Sequence, residues 1–267
     1  MRIVSYEGGH GLLEDDHVQP LGGTLAEVLV DPASAVAIGT PLPLDGLTLR
    51  APVPEPGKII CVGLNYRDHA AETGKPVPTE PVLFAKFANS VAPDGATVDV
   101  PELARELDWE AELAVVIGRG GRDIPRSEAL ERVAGYTIVN DLSSRTLQRS
   151  GGQWTRGKAI DDFLPMGPWL TTADMIDDPQ DLRVRCLVNG EVMQDGTTAE
   201  MVFGVAELIA EISRTITLAP GDIIATGTPP GVGMGKDPQR FLVDGDLVVV
   251  EIEGLGRLSS RIADRWA

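Results

Sequence analysis

The stretch that most constrains the chain is Leu107-Asp108-Trp109-Glu110-Ala111-Glu112-Leu113-Ala114-Val115-Val116-Ile117-Gly118. The apolar run from Leu113 to Ile117, closed by a glycine, predicts a buried strand. Side chains alternate along a strand, so Glu110 and Glu112 point to one face. Two carboxylates entering a buried strand repel each other and are costly to desolvate. A hard cation held by oxygen ligands is the simplest compensation. The alternative is a solvated strand end.

A third carboxylate shifts that balance. Thr137-Ile138-Val139 is a β-prone run ending in Asn140-Asp141, which places Asp141 where a strand gives way to a loop. Arg145 and Gln148 follow at four and seven residues, a spacing that predicts one helical face shared with Asp141. A carboxylate, a guanidinium and an amide along one stripe suit the reading of an oxygen-rich ligand. An N-cap aspartate with a surface ion pair to Arg145 is the competing reading.

Taken in order, five pieces resemble the fumarylacetoacetate hydrolase family. They are Val62-Gly63-Leu64-Asn65-Tyr66-Arg67-Asp68-His69-Ala70-Ala71-Glu72, the Glu110-x-Glu112 pair, Asn140-Asp141-x-x-x-Arg145-x-x-Gln148, Arg156-Gly157-Lys158, and Gly227-Thr228-Pro229-Pro230-Gly231-Val232-Gly233. The likeness spans about residues 56–265. It implies a β-roll-like catalytic domain of mixed sheets, a small N-terminal domain and a homodimer. It also implies that His69 and Glu72 form a pair on a mobile segment over a metal. Ala159-Ile160 stand where members often carry Ser-Phe, which leaves the substrate-facing wall open.

Strand and turn signals outnumber helical ones and recur at short intervals, which fits a β-rich α+β fold rather than alternating βαβ units. The proline-punctuated stretch 52–56 predicts an extended linker. The expected division is therefore a small N-terminal domain over 1–54 and a catalytic domain over 55–267. Within the first, Val28-Leu29-Val30 reads as a strand, although Thr24 could instead start a helix. His10 and His17 read as loop residues. Further on, Ser127 to Gly135 reads as a short helix stopped by glycine, and Val202 to Ile216 as an amphipathic helix. The hairpin signal Asn189-Gly190 joins two further strands.

A net charge of −17 argues against nucleic acid and anionic membrane surfaces as partners. Cys61 and Cys186 sit among aliphatic residues and read as buried thiols, not as a disulfide or zinc set. With no signal-peptide pattern and no long apolar run, a cytoplasmic setting is expected.

Chemistry follows from the acidic trio. Glu110, Glu112 and Asp141 suit Mg²⁺ or Mn²⁺, with Ca²⁺ as a substitute, and would leave one net negative charge around a dication with coordination positions open. A 2-oxo acid could chelate there while its enolate forms. His69, oriented by Glu72, is the expected general base and Lys158 a catalytic cation. Arg145, Gln148 and Thr228 are expected to hold substrate oxygens, and Tyr66, Arg67 and Trp154 to contact its tail. The leading expectation is hydrolysis of a C–C bond in an acylpyruvate or related 1,3-diketo acid, resembling fumarylpyruvate or fumarylacetoacetate. The alternative is decarboxylation or tautomerisation of oxaloacetate, or isomerisation of a 2-hydroxy-dienedioate.

Overall fold

The computed structural model describes residues 1–72 and 74–264; residues 265–267, which the expected catalytic domain includes, lie outside the described residues. Among the described residues the larger of two main sheets has twelve strands. Its central path runs Arg2–Tyr6, Leu164–Thr172, Val133–Asn140, Ala111–Ile117, Ile223–Ala225, Ile59–Gly63 and Val82–Lys86. Ile223–Ala225 and Ile59–Gly63 are parallel, and the other neighbours on this path are antiparallel. The second sheet is Glu191–Thr197, Arg183–Val188, Leu247–Ile252, Gly256–Ala263 and Ala96–Asp99 in spatial order. This is the β-rich α+β architecture that the turn spacing predicts, with the mixed sheets that the resemblance implies.

Ala111–Ile117 is buried on both faces, which is why it reads as a continuous apolar run. Leu113, Val115 and Ile117 pack in the core shared with Val184, Cys186, Val188, Val248 and Val250 of the second sheet. Ala114 and Val116 face the opposite way, into a core with Ile3, Val28, Leu29 and Cys61. Each fully buried aliphatic side chain in such a layer contributes about 1.5–3 kcal/mol.

The N-terminal block extends the large sheet. Arg2 and Ile3 pair with Thr171 and Leu170, and Ile3, Leu21, Val53 and Ala51 join the second core. The proline-rich stretch after residue 50 is therefore no break in packing; Ser5 Oγ donates to the Pro52 carbonyl at 2.8 Å. Helix α1 (Leu25–Val30) replaces the strand expected at 28–30. Thr24 and Glu27 form a capping box that satisfies the first backbone donors, and local capping outweighs the β-prone side chains. His10 and His17 lie on the strands Gly9–Glu14 and His17–Pro20, not in loops.

The helix expected over 127–135 is also absent. Two short 3₁₀ turns, Arg126–Glu128 and Leu130–Arg132, lead straight into Val133–Asn140. Gly135 sits inside that strand because a Cβ there would lie 2.2 Å from the Thr171 carbonyl oxygen. Its role is close strand approach, not helix termination.

Among the described residues four further α-helices follow: α2 (Arg67–Glu72), α3 (Arg145–Arg149), α4 (Thr155–Lys158) and α5 (Val205–Ser213). Val205, Leu208, Ile209 and Ile212 of α5 fill the core, as their spacing predicts. Among the described residues no helix is long and apolar enough to cross a membrane.

Candidate metal centre and active site

Strand register brings the three carboxylates together. Glu112 lies opposite Val139, and Ala111 opposite Asn140. Asp141 continues this alternation; its amide donates to the Glu110 carbonyl at 2.9 Å. Glu110, Glu112 and Asp141 thus share one face, with ligand oxygens all within 4.8 Å of one another and all three residues buried.

Asp141 does not share a helical face with Arg145 and Gln148. Asp141 and Leu142 precede a short pairing of Ser143–Ser144 with Leu107–Asp108, and α3 begins only at Arg145, capped by the Ser144 hydroxyl. The cap and the β pairing hold 141–144 extended. Arg145 and Gln148 do share a face of α3, where the guanidinium donates to Gln148 Oε1 at 3.0 Å.

Three buried cations surround the trio. Lys158 Nζ donates to Glu110 Oε2 and Asp141 Oδ2, both at 2.7 Å. Lys86 Nζ donates to Asp141 Oδ1 at 2.7 Å and to the Leu142 carbonyl at 3.1 Å. Arg145 lies 2.8 Å from Glu110 Oε1 and 2.8 Å from Asp108 Oδ2. Four carboxylates, counting Asp108, therefore face three cations, which with every group ionised is a formal count of one net negative charge. The one net negative charge expected for the trio around a dication becomes, on the same formal count, one net positive charge once Asp108 and the three cations are included. Lys158 reaches this position because Gly157 lets α4 press on α3: a Cβ there would lie 2.4 Å from the Gln148 nitrogen.

These charges separate the carboxyl groups. Burial alone would raise Glu110, but Lys158 and Arg145 outweigh it and hold its pKa down to about 2. Glu112 goes the other way. Burial, then the negative charges of Asp141 and Glu110, push it well above the usual carboxylate range. It accepts from the Gly227 amide at 2.8 Å, and among the described residues it has no ion pair. Burial opposes the charge on Lys158, yet Asp141 and Glu110 raise its pKa above the ordinary lysine value, so it stays protonated. A buried, all-oxygen donor set with one carboxyl lacking a counter-ion fits a hard divalent cation such as Mg²⁺ or Mn²⁺.

His69 and Glu72 meet as their helical spacing predicts. His69 Nδ1 lies 2.9 Å from Glu72 Oε2, and Glu72 Oε1 accepts from the Gly231 amide at 2.8 Å. With Nδ1–H turned to the carboxylate, Nε2 is the basic nitrogen. The segment is anchored by Asn65, whose amide donates to the Phe203 and Thr226 carbonyls and accepts from the Phe203 amide.

A cavity of about 390 Å³ opens over the cluster. His69, Glu110, Glu112, Arg145, Gln148, Lys158 and Thr228 line it, with Val62, Phe84 and Trp154 as its apolar wall and Lys75 and Arg149 also on its lining. The Phe84 and Trp154 rings pack edge-on at 5.4 Å. Tyr66 and Arg67 are not part of this wall. Tyr66 is wholly buried in the core, and the Arg67 guanidinium donates to the Met201 carbonyl. Thr228 is present, but its proton goes to the Ala111 carbonyl and its oxygen accepts from Gln194, so it shapes the wall. A second cavity of about 410 Å³ lies under the N-terminal block, around His10, Arg50 and Gly221, away from the acidic trio.

Two site residues escaped the sequence reading. Lys86, at the end of an apolar strand, shows no sign in the sequence of which way it points. Asp108 did leave a signal, because Asp108-x-Glu110-x-Glu112 repeats at the strand period.

The C-terminal model of fumarylacetoacetate (FAA) hydrolase matches residues 58–263. Human mitochondrial oxaloacetate tautomerase FAHD2A is 48% identical over 223 residues, covering 83% of this chain and 71% of the relative. A fumarylacetoacetate hydrolase from Exiguobacterium antarcticum superposes with a TM-score of 0.88 at 38% identity, covering 99% of this chain and 100% of that one. A 2-hydroxyhepta-2,4-diene-1,7-dioate isomerase from Mycobacterium marinum gives 0.84 at 34% identity, covering 100% and 98%.

Proposed function

The chain belongs to the fumarylacetoacetate hydrolase family, and on that premise we propose that it interconverts the keto and enol forms of a short 2-oxo dicarboxylate, with oxaloacetate as the first substrate to try. The observation that carries this reading is a carboxylate-held base, His69, on the wall of a cavity whose floor includes Glu110 and Glu112, with Asp141 buried within reach of both and three cations around the trio. The tautomerase name of the human relative supports the choice of substrate.

Glu110, Glu112 and Asp141 would hold the dication. When bound, it supplies Lewis-acid stabilisation for negative charge developing on the 2-oxo group. Arg145, with Gln148 beside it, binds a substrate carboxylate, a geometry that suits the guanidinium fork. Protonated Lys158 donates to an oxygen of the substrate. His69 Nε2 takes a proton from the carbon next to the ketone and passes it to the 2-oxo oxygen, the reverse transfer restores the ketone, and Glu72 holds the ring in the required tautomer. Phe84 and Trp154 exclude water from the carbon that carries the charge.

Hydrolysis of an acylpyruvate is the second reading, supported by the Exiguobacterium neighbour. There His69 deprotonates a water, which attacks the distal carbonyl and releases pyruvate enolate. Following loss of enol absorbance from oxaloacetate, and pyruvate release from acylpyruvates and 2-hydroxydienoates, with Mg²⁺ or Mn²⁺ present, separates the readings. Accelerated ketonisation without pyruvate release is expected. Cleavage of acylpyruvates with no effect on oxaloacetate would overturn the tautomerase reading in favour of the hydrolase.

A further inference from the structure

We infer that Asp108 is the positioning residue for substrate capture, acting through Arg145. This rests on the reading of the cavity above as the substrate site. Asp108 is wholly buried, and both its oxygens are in use. Oδ2 accepts from Arg145 Nε at 2.8 Å and from the Met234 amide at 3.0 Å. Oδ1 accepts from the amides of Gly233 at 2.6 Å and Trp109 at 2.9 Å. One side chain thereby ties the start of the acidic strand to α3 and to the loop after Gly231. Arg145 and Met234, which it holds, both line the cavity.

The chain is shaped around this contact. A Cβ on Gly233 would lie 2.8 Å from Asp108 Oδ1 and 1.9 Å from the Arg240 carbonyl oxygen. Glycine there admits the loop to the carboxylate.

The consequence lies in how Arg145 divides its charge. Its guanidinium meets Asp108 along one edge, Glu110 with the same terminal nitrogen, and Gln148 with the other. If Asp108 loses its charge, Glu110 becomes the only anionic partner of Arg145 among the described residues. The guanidinium then moves toward a ligand of the proposed metal and away from the orientation that receives a substrate carboxylate. Asp108 therefore serves two ends: it aims Arg145 at substrate and it leaves Glu110 available to a cation. A simple structural staple would do neither.

Asp108→Asn, Arg145→Met and the double variant decide between these roles. Removing both members of a buried pair is less damaging than removing one, so the double variant is a folded reference whatever the fate of Asp108→Asn. Two readouts are used: KM and kcat for oxaloacetate, and Mn²⁺ affinity by calorimetry without substrate. Asp108→Asn is expected to raise KM at least tenfold with kcat within threefold, and to weaken Mn²⁺ binding at least threefold. In the Arg145→Met background the same Asp108→Asn change is expected to alter neither readout by more than threefold, since residues acting through one another are not additive. A further tenfold loss in that background, or an unchanged KM in Asp108→Asn, would overturn the inference. Failure of the wild type to turn over oxaloacetate would sink the substrate reading alone, because the Mn²⁺ comparison tests Asp108 without any substrate.

Discussion

Lys158→Met removes the ammonium that bridges Glu110 and Asp141 at 2.7 Å each and leaves a chain of similar length. Taking away one partner of a buried ion pair costs about 3–5 kcal/mol. Arg145 remains on Glu110 and Lys86 on Asp141, so neither carboxylate is stranded. The lower end applies, about 3 kcal/mol, which for a chain of this size corresponds to a fall in Tm of about 6–12 °C. The assay is a thermal melt at pH 7.5 in EDTA and again in Mn²⁺. In EDTA the variant is expected to melt lower by that amount. A dication would return the missing positive charge, and at a hundred times its Kd would add about 2.7 kcal/mol, so Mn²⁺ is expected to recover most of the loss. Mn²⁺ is also expected to bind the variant more tightly than the wild type, because no ammonium occupies the ligand oxygens. A metal-free variant melting within 2 °C of wild type, about 1 kcal/mol or less, would refute the placement of Lys158 as the internal counter-ion.

Three other outcomes follow from the same geometry. His69→Ala should bind Mn²⁺ like wild type and lose about 10²–10⁴ in kcat; turnover within tenfold of wild type would remove His69 as the base. Glu112→Gln should abolish Mn²⁺ binding yet raise the metal-free Tm, and the sign follows from its raised carboxyl. Stability from such a group is fully present below its unfolded value near 4.5 and is lost as pH rises through the folded value, so the gain should be larger at pH 8 than at pH 4.5. An equal or negative effect at pH 8 would contradict the buried charge. Gly231→Ala places a Cβ 2.2 Å from the Met193 carbonyl at a positive φ of 104°. It should lower Tm and also lower kcat, because the Gly231 amide that holds Glu72 moves with the loop; melts and initial rates on one preparation check both.

The acidic trio was legible in the sequence because strand alternation is strictly local: Glu110 and Glu112 had to share a face, and Asp141 ended the strand that pairs with theirs. His69 and Glu72 were legible for the equivalent reason in a helix. The cations were harder. Lys158 is brought in by the packing of α4 on α3, and Lys86 reaches Asp141 from a strand at the sheet edge, contacts that depend on tertiary approach. Asp141 was misplaced on a helix because the Ser144 cap and the 107–108 pairing begin the helix later than the residue spacing suggests. Tyr66 is the same kind of case, since a ring beside the His69–Glu72 segment looks like a substrate contact until the core closes over it. At Val28 the local signals were ambiguous and the Thr24–Glu27 capping box decides them; at Gly135 the local reading is a helix stop, which the close approach of the Thr171 carbonyl overrides.

The most direct test is anomalous diffraction from crystals equilibrated with Mn²⁺. The account predicts one strong peak within about 2.5 Å of a carboxylate oxygen from each of Glu110, Glu112 and Asp141. A peak bound elsewhere, or none at this cluster while all three side chains are ordered, would contradict it.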